Sequence, residues 1–390
     1  MGINMNTLAV PKRNTFLSRI ISMFQIDWIL FLAVLPLLGA GLVTMNSFTG
    51  SNYFFEKQLI SIGISLVVFF AISTIDFRFL RRTSVIVFLF LLSCLLLLGL
   101  FTLGHVSKGA ESWFRFGAFS FQPTDPIKLV VILIMAKYFS RRHIEIGHVR
   151  HILVSGFYAF VIFFLVLLQP DFGSAIIIFL IWFGMLLVSG ISRKHLLIVV
   201  MLGALVFGGL WAYAFKPYQK DRVRNFLNPL ANVRGTGYNA YQSTIAVGSG
   251  QVFGKGIGFG TQSRLQFLPE YQTDFIFAAF SEEWGFIGVV IFLLLFGIII
   301  WRVLRIALHS ASNFEMLFGM GFSIFLMSHF IIHVGMNAGL LPVTGLPLSF
   351  LSYGGSHLLT EFTGLGILMG MRRYGRDTHR DAMKNEFVGA

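Results

Sequence analysis

Ten predominantly apolar stretches recur along the chain, over roughly 28–45, 59–75, 85–103, 126–139, 153–168, 173–190, 195–215, 284–301, 318–334 and 358–371. A helix crosses the hydrocarbon core of a bilayer in about 20 such residues, so most of these are long enough or nearly so. The fourth and tenth are short, and Glu361 lies inside the tenth. In lipid, a segment must satisfy its own backbone polar groups, which restricts a chain of this kind to a bundle of helices. Composition points the same way. Charged residues make up 12% of the 390, against about 25% in a typical soluble domain. That is too little polar material to cover a water-facing surface. It excludes an ordinary soluble enzyme, a disordered chain and a nucleic-acid-binding domain. The single cysteine, Cys94, sits in an apolar run and allows neither an intrachain disulfide nor a cysteine-based metal cluster. The expected fold is an all-α polytopic membrane protein of about ten transmembrane helices.

The net charge of +13 is therefore read as topology. With the N-terminus inside, nineteen of the thirty Lys and Arg residues fall on the cytoplasmic side. They include Lys12, Arg13 and Arg19 before the first span, and Arg372, Arg373, Arg376, Arg380 and Lys384 after the last. Ten fall outside, seven of them in one long loop, where the positive-inside rule loses force. Both termini are expected to be cytoplasmic. The organisation that follows is a cytoplasmic segment 1–27, a membrane domain 28–371 and a basic tail 372–390. A large extracytoplasmic loop, about 216–275, joins helices seven and eight. The basic start and first span read as a signal anchor, since no small-residue cleavage site follows.

Polar residues at membrane depth carry most of the remaining information. Asp125 opens the fourth span, where it suits a helix cap, and Lys128 lies about three residues inside. Lys128 can snorkel to the interface, pair with Asp125 or hold an anionic ligand. Asp171, in Gln-Pro-Asp-Phe-Gly-Ser, reads by composition as a turn residue. The long loop holds Arg222, Lys255 within a glycine run over 248–260, and Asp274, which leads directly into an apolar segment. The glycine run is neither a P-loop nor a dinucleotide fingerprint, and tight re-entrant turns explain it best. His329 and His333 share a helix face, but Phe330 stands where a zinc protease needs Glu, so packed histidines are favoured over a metal site. Beyond them, 335–356 is apolar yet broken by Pro and Gly, which at membrane depth implies a pocket. Glu283, Asn337 and Ser352 are expected to line it. Acids and cations together on the outer side suit an amphiphile with an anionic head.

Four motifs carry a resemblance. They are Phe-Gln-Pro-Thr-Asp-Pro-Ile-Lys at 121–128 and Gln-Pro-Asp-Phe-Gly-Ser-Ala at 169–175, with two longer ones at 260–277 and 335–356. The chain resembles the SEDS family (shape, elongation, division and sporulation) over nearly its full length. The segment 218–229 and Gly-Thr-Gln-Ser-Arg at 260–264 lean towards the rod-shape branch rather than the division branch. The resemblance implies a ten-span peptidoglycan glycosyltransferase of the bacterial inner membrane. Such an enzyme polymerises lipid II on the extracytoplasmic face, with a class B penicillin-binding protein and other elongation-complex membrane proteins as partners. It implies that Asp274 is the catalytic acid, that Asp171 is a second important aspartate, and that Asp125 and Lys128 match a cavity-lining Glu–Lys pair. This chain departs from the family in having Thr124-Asp125 for the usual Ser-Glu, His333 for a common Asn, and His357 for a small residue.

On that reading the transfer inverts the anomeric centre, with Asp274 as base and Lys128, Asp125, Arg222, Asp171 and Lys255 around the diphosphate. A divalent cation, Mg or Mn, is compatible with this chemistry, and Asp274 could hold it instead. No organic cofactor and no nucleic acid is expected. The alternatives are a lipid II flippase using the same residues as a path, the division-specific role, and a scaffold that only activates its partner.

Overall fold

The computed structural model describes residues 26–47, 53–103, 105–107, 110–116, 119–140, 149–228, 235 and 237–388. Lys12, Arg13 and Arg19, Lys108, Arg141, Arg142 and part of the long loop, including Arg234, lie outside the described residues.

Each of the ten apolar stretches falls on a helix. In chain order the first six are α1 (Trp28–Asn46), α2 (Tyr53–Ser73), α3 (Thr83–Leu103), α4 (Thr124–Ser140), α5 (Val149–Leu168) and α6 (Phe172–Val188). Then come α7 (Arg193–Gly209, extended by a wider turn over Leu210–Ala214) and three loop helices, α8 (Pro217–Leu227), α9 (Tyr238–Ser249) and α10 (Thr261–Arg264). The last three are α11 (Ile276–Leu308), α12 (Asn313–Asn337) and α13 (Gly355–Val388). Side-chain caps fix several starts. Asp27 accepts from Leu30 N–H on α1, Asp171 from Ser174 N–H on α6 and Ser312 from Glu315 N–H on α12. Among the described residues, seven helices (α1, α2, α3, α5, α7, α11 and α12) are long and apolar enough to cross a membrane. α4 and α6 have 17 residues each. α13 is diluted by its basic continuation past Met371.

The chain is mostly helical, but the expectation of an all-α fold needs one correction. The α3–α4 connection holds a three-stranded antiparallel sheet of β1 (His105–Ser107), β2 (Ala110–Phe116) and β3 (Phe119–Phe121). In register, Phe114 pairs with Phe121 and Phe116 with Phe119 across β2 and β3.

α4 lies in the middle of the bundle. It packs against α12, α6 and α3, and α12 in turn packs against α11 and α6. α2 pairs with α13, and α11 pairs with α1. α7 is peripheral, with Val199 its only buried residue. The eighth stretch begins earlier than hydropathy indicates. α11 starts at Ile276, so Glu282 and Glu283 lie inside it, and it breaks at Gly285 (φ 64°, ψ −167°). The glycine run docks on this break. Lys255 and Gly256 N–H donate to the carbonyls of Glu282 and Glu283, while Phe286 and Ile287 N–H donate to those of Gln251 and Val252. A Cβ on Gly285 would stand 2.1 Å from the backbone nitrogen of Gly254. Only bare backbone on both sides allows this approach.

Candidate active site

Two facing segments are stitched together at the end of the bundle where α4, α11 and α13 begin. One is the turn-rich approach to α11, residues 268–275; the other is the irregular stretch 338–354 between α12 and α13. Tyr353 N–H donates to the Gln272 carbonyl at 2.8 Å, and Ser352 Oγ donates to the Thr273 carbonyl at 2.8 Å while accepting from Leu348 N–H. Asn337, the last residue of α12, donates through Nδ2 to the Asp274 carbonyl at 3.1 Å. Its Oδ1 accepts from Ala278 N–H, which satisfies one of the amides at the start of α11. Ser352 and Asn337 are therefore the braces of this wall.

The half-buried Asp274 carboxylate lies against Gly345, where an added Cβ would sit 3.5 Å from its Oδ2. Arg222, on α8, donates from Nη1 to the Thr344 carbonyl at 3.2 Å. The same stretch approaches the start of α6: a Cβ on Gly173 would stand 3.1 Å from the Thr344 carbonyl oxygen. The three consecutive residues 344–346 thus gather Arg222, Asp274 and the α6 N-terminus, which Asp171 caps. No spacing in the sequence announces this meeting, because its members lie 122 positions apart in the case of Arg222 and Thr344.

Asp171 has a second contact, accepting from Gln122 Nε2 at 3.1 Å. Gln122 is held by Ser356, whose Oγ accepts from the Gln122 N–H and donates to its carbonyl. Three residues along lies Asp125, buried, with the Lys128 ammonium 3.0 Å from its Oδ1 and only 1% of that lysine side chain exposed. Of the readings open for Lys128, pairing is the one seen. One methylene less than Glu still reaches, because the i, i+3 offset puts both groups on one face. His357 and Glu361, on α13, extend this pair into a buried cluster. Their i, i+4 spacing in the sequence puts both on one face of α13.

His329 and His333 turn away from metal chemistry. Each faces a backbone carbonyl through Nδ1, His329 that of Pro347 at 3.2 Å and His333 that of Leu346 at 2.7 Å. Nδ1 is thereby the protonated nitrogen in both.

Lys255 and Glu283 belong elsewhere. The Lys255 ammonium lies 2.7 Å from Glu282 Oε1 and 2.8 Å from Thr261 Oγ1, and Glu282 also accepts from Gln262 N–H. Glu283 Oε1 accepts from Gly258 N–H at 2.6 Å. The two glutamates pin the glycine run to the α11 break, so these residues anchor a loop rather than join the groups around Asp274. Lys255 was expected at the diphosphate. In the structure its ammonium pairs with the buried Glu282 carboxylate beside the α11 break.

The chain as a whole has known relatives. The family model of the cell cycle proteins FtsW, RodA and SpoVE matches residues 19–377. The chain belongs to this family, the SEDS proteins. It is 36% identical over 365 residues to the stage V sporulation protein E of Bacillus subtilis (strain 168), covering 90% of this chain and 98% of that one. It is 33% identical over 371 residues to the peptidoglycan glycosyltransferase MrdB of Escherichia coli (strain K12), covering 95% and 97%. Among solved structures it superposes with a TM-score of 0.77 and 30% identity on a chain of a peptidoglycan synthase complex that coordinates polymerization and crosslinking, covering 90% of this chain and 98% of that one. The rod shape determining protein RodA of Thermus thermophilus superposes with a TM-score of 0.68 at 27% identity, covering 90% and 97%.

Proposed function

We propose that this SEDS protein is a peptidoglycan glycosyltransferase that polymerises lipid II into glycan strands for elongation and rod shape. The observation that carries the reading is the convergence of Asp274 and Arg222 on Thr344–Gly345, within a family whose members include named peptidoglycan glycosyltransferases. In the transfer, the acceptor sugar hydroxyl attacks the donor's anomeric carbon. The new C–O bond forms as the bond to the diphosphate oxygen breaks, undecaprenyl diphosphate leaves, and Asp274 takes the hydroxyl proton. Arg222 and Lys128 face the departing diphosphate, Asp125 sets the Lys128 ammonium, and Asp171 holds Gln122 and the start of α6. Lys255 is left out of this set.

Among the described residues no three His, Cys, Asp or Glu side chains form a cluster fit to hold a metal. A Mg or Mn ion here would therefore share one carboxylate, Asp274, with the substrate's own phosphates, a usual arrangement for Mg. It would supply charge neutralisation of the leaving group.

Ten spans with both termini cytoplasmic complete the reading, with the Asp274 wall on the extracytoplasmic face of the inner membrane. A class B penicillin-binding protein is the partner, as the superposed synthase complex suggests. The flippase reading draws on one observation, the buried cluster around Lys128, because charged groups inside a bundle also mark ion-coupled paths. The test is polymerisation of purified lipid II with the partner present. Wild type should make polymer. Asp274→Asn, folded and partner-bound, should lose about 100-fold or more in rate, the scale of a lost general base. No polymer from wild type with a validated partner moves transport ahead, and full activity in Asp274→Asn removes the catalytic assignment.

A further inference from the structure

The cluster around Lys128 contains four ionisable groups with almost no exposure. The side chains of Lys128, Asp125, His357 and Glu361 are 1%, 3%, 6% and 0% exposed. They form a chain: Lys128 Nζ lies 3.0 Å from Asp125 Oδ1, His357 Nδ1 lies 3.6 Å from the same oxygen, and His357 Nε2 lies 3.0 Å from Glu361 Oε1. Glu361 Oε2 accepts from the N–H of Phe350, a buried residue held at φ 61°.

Two features support the imidazolium form of His357. First, its two ring nitrogens face two different carboxylates. A neutral imidazole would set a lone pair against one of them, whereas the imidazolium is attracted to both at ion-pair distance. Second, two buried carboxylates against one ammonium leave a negative charge without a counterion in an apolar bundle, which is costly. A protonated His357 closes that balance. The remaining neighbours do not. His329, whose ring lies 4.5 Å from that of His357, has Nδ1 turned to a carbonyl, as does His333, and Phe325 covers the ring with its centroid 5.9 Å away.

We propose that His357 is a positioning residue of this site: as an imidazolium between Asp125 and Glu361 it cancels the second buried carboxylate, so that the cluster carries no net negative charge and the Lys128 ammonium can hold the anionic head of the substrate. This rests on the reading of Lys128 as a diphosphate-facing group. The class of ligand concerned is a lipid-linked sugar diphosphate.

The experiment measures lipid II affinity of the purified full-length protein with its penicillin-binding partner, alongside polymer formation in the same preparation. His357→Gln leaves the cluster one charge more negative and should weaken lipid II binding about tenfold. Glu361→Gln leaves it one charge more positive and should bind as tightly as wild type or tighter. The paired variant His357→Gln/Glu361→Gln, whose net charge equals that of wild type, should return to within about threefold of the wild-type affinity. Damage to packing alone would make the pair at least as bad as the worse single change. A second readout is pH. The titratable groups facing the imidazole are Asp125, Lys128 and Glu361, with His329 and His333 behind, and His357 is the one whose protonation this proposal invokes. Wild-type affinity should fall as pH rises, while the paired variant shows a flatter profile. His357→Gln binding lipid II like wild type, or a paired variant that recovers nothing, overturns the proposal. If His357→Gln does not accumulate in the membrane, the paired variant should restore both yield and affinity, and failure to do so overturns it equally. Absence of polymer with these affinity changes intact would count against the transferase reading, not against His357.

Discussion

Two buried ionic clusters sit at opposite ends of the bundle and are built differently. At the end where α1 begins, Asp27 caps α1 and is clasped by Arg302 of α11 through Nε (3.0 Å) and Nη2, and by Arg372 of α13 at 2.9 Å. Both its carboxylate oxygens are used, and three helices are tied by one acid. At the other end, Asp125, Lys128, His357 and Glu361 also bring charges out of water. There, Asp125 Oδ2, both His357 ring nitrogens, Glu361 Oε1 and His329 Nε2 are buried without a hydrogen bond of good geometry. A satisfied cluster holds a fold together. One that leaves donors and acceptors unmet is costly to keep, and such groups in a native structure mark strain, bound water or a working site.

The comparison can be broken first at its structural end. Asp27→Ala leaves the buried Arg302 and the half-buried Arg372 without this acid and should cost about 3–5 kcal/mol of stability. The polymerisation rate per folded molecule should stay close to wild type. A thermal melt in detergent, run beside the lipid II assay, reads both, and a rate that falls with stability intact would erase the distinction.

A smaller loss is expected where the glycine run meets the α11 break. Gly285→Ala places a methyl group 2.1 Å from the Gly254 nitrogen at a positive φ, an overpacked and strained contact costing about 1–3 kcal/mol. Limited proteolysis should then cut within 250–260 faster than in wild type.

Acid sharpens the contrast. Burial presses the Asp27 carboxyl upward, but the Arg302 hydrogen bond, the Leu30 N–H and the charges of Arg372 and Arg302 outweigh it and leave the group below its ordinary value. A carboxyl whose pKa is lower folded than unfolded stabilises fully above the unfolded value and loses that contribution as pH falls through the folded one. Wild type should therefore lose melting temperature below about pH 4 more steeply than Asp27→Asn.

The last contrast belongs to Lys255→Met. Thr261 and the Gln262 N–H still donate to Glu282, but its buried carboxylate loses its cation, so the cost should be about 3 kcal/mol. Lipid II affinity should not change. A tenfold loss would return Lys255 to the diphosphate set.

Legibility in the sequence followed the same division. The helices were readable because an apolar run of sufficient length has few alternatives in lipid, and all ten stretches fall on helices. The start of α11 was missed by eight residues, because hydropathy penalises Glu282 and Glu283 although both accept hydrogen bonds from the glycine loop. The β2–β3 ribbon was missed because short strands between spans carry little signal. Asp274, Asp171, Asp125 and Lys128 drew attention as charges at membrane depth, whereas their roles came from resemblance. Thr344 and Gly345 are invisible in one dimension: a carbonyl and a bare backbone carry no chemistry until the fold brings Arg222 and Asp274 to them. Lys255 reads alike in sequence whether its partner is a phosphate or a buried glutamate, and the structure pairs it with Glu282.

The most direct test of the division between the two clusters is the lipid II polymerisation rate per folded molecule of Lys128→Met, measured beside its melting temperature. The account predicts a rate at least about tenfold below wild type with a melting temperature that moves less than that of Asp27→Ala. A Lys128→Met protein that polymerises at the wild-type rate would contradict it, and the cluster at the α4 end would then be a second clamp.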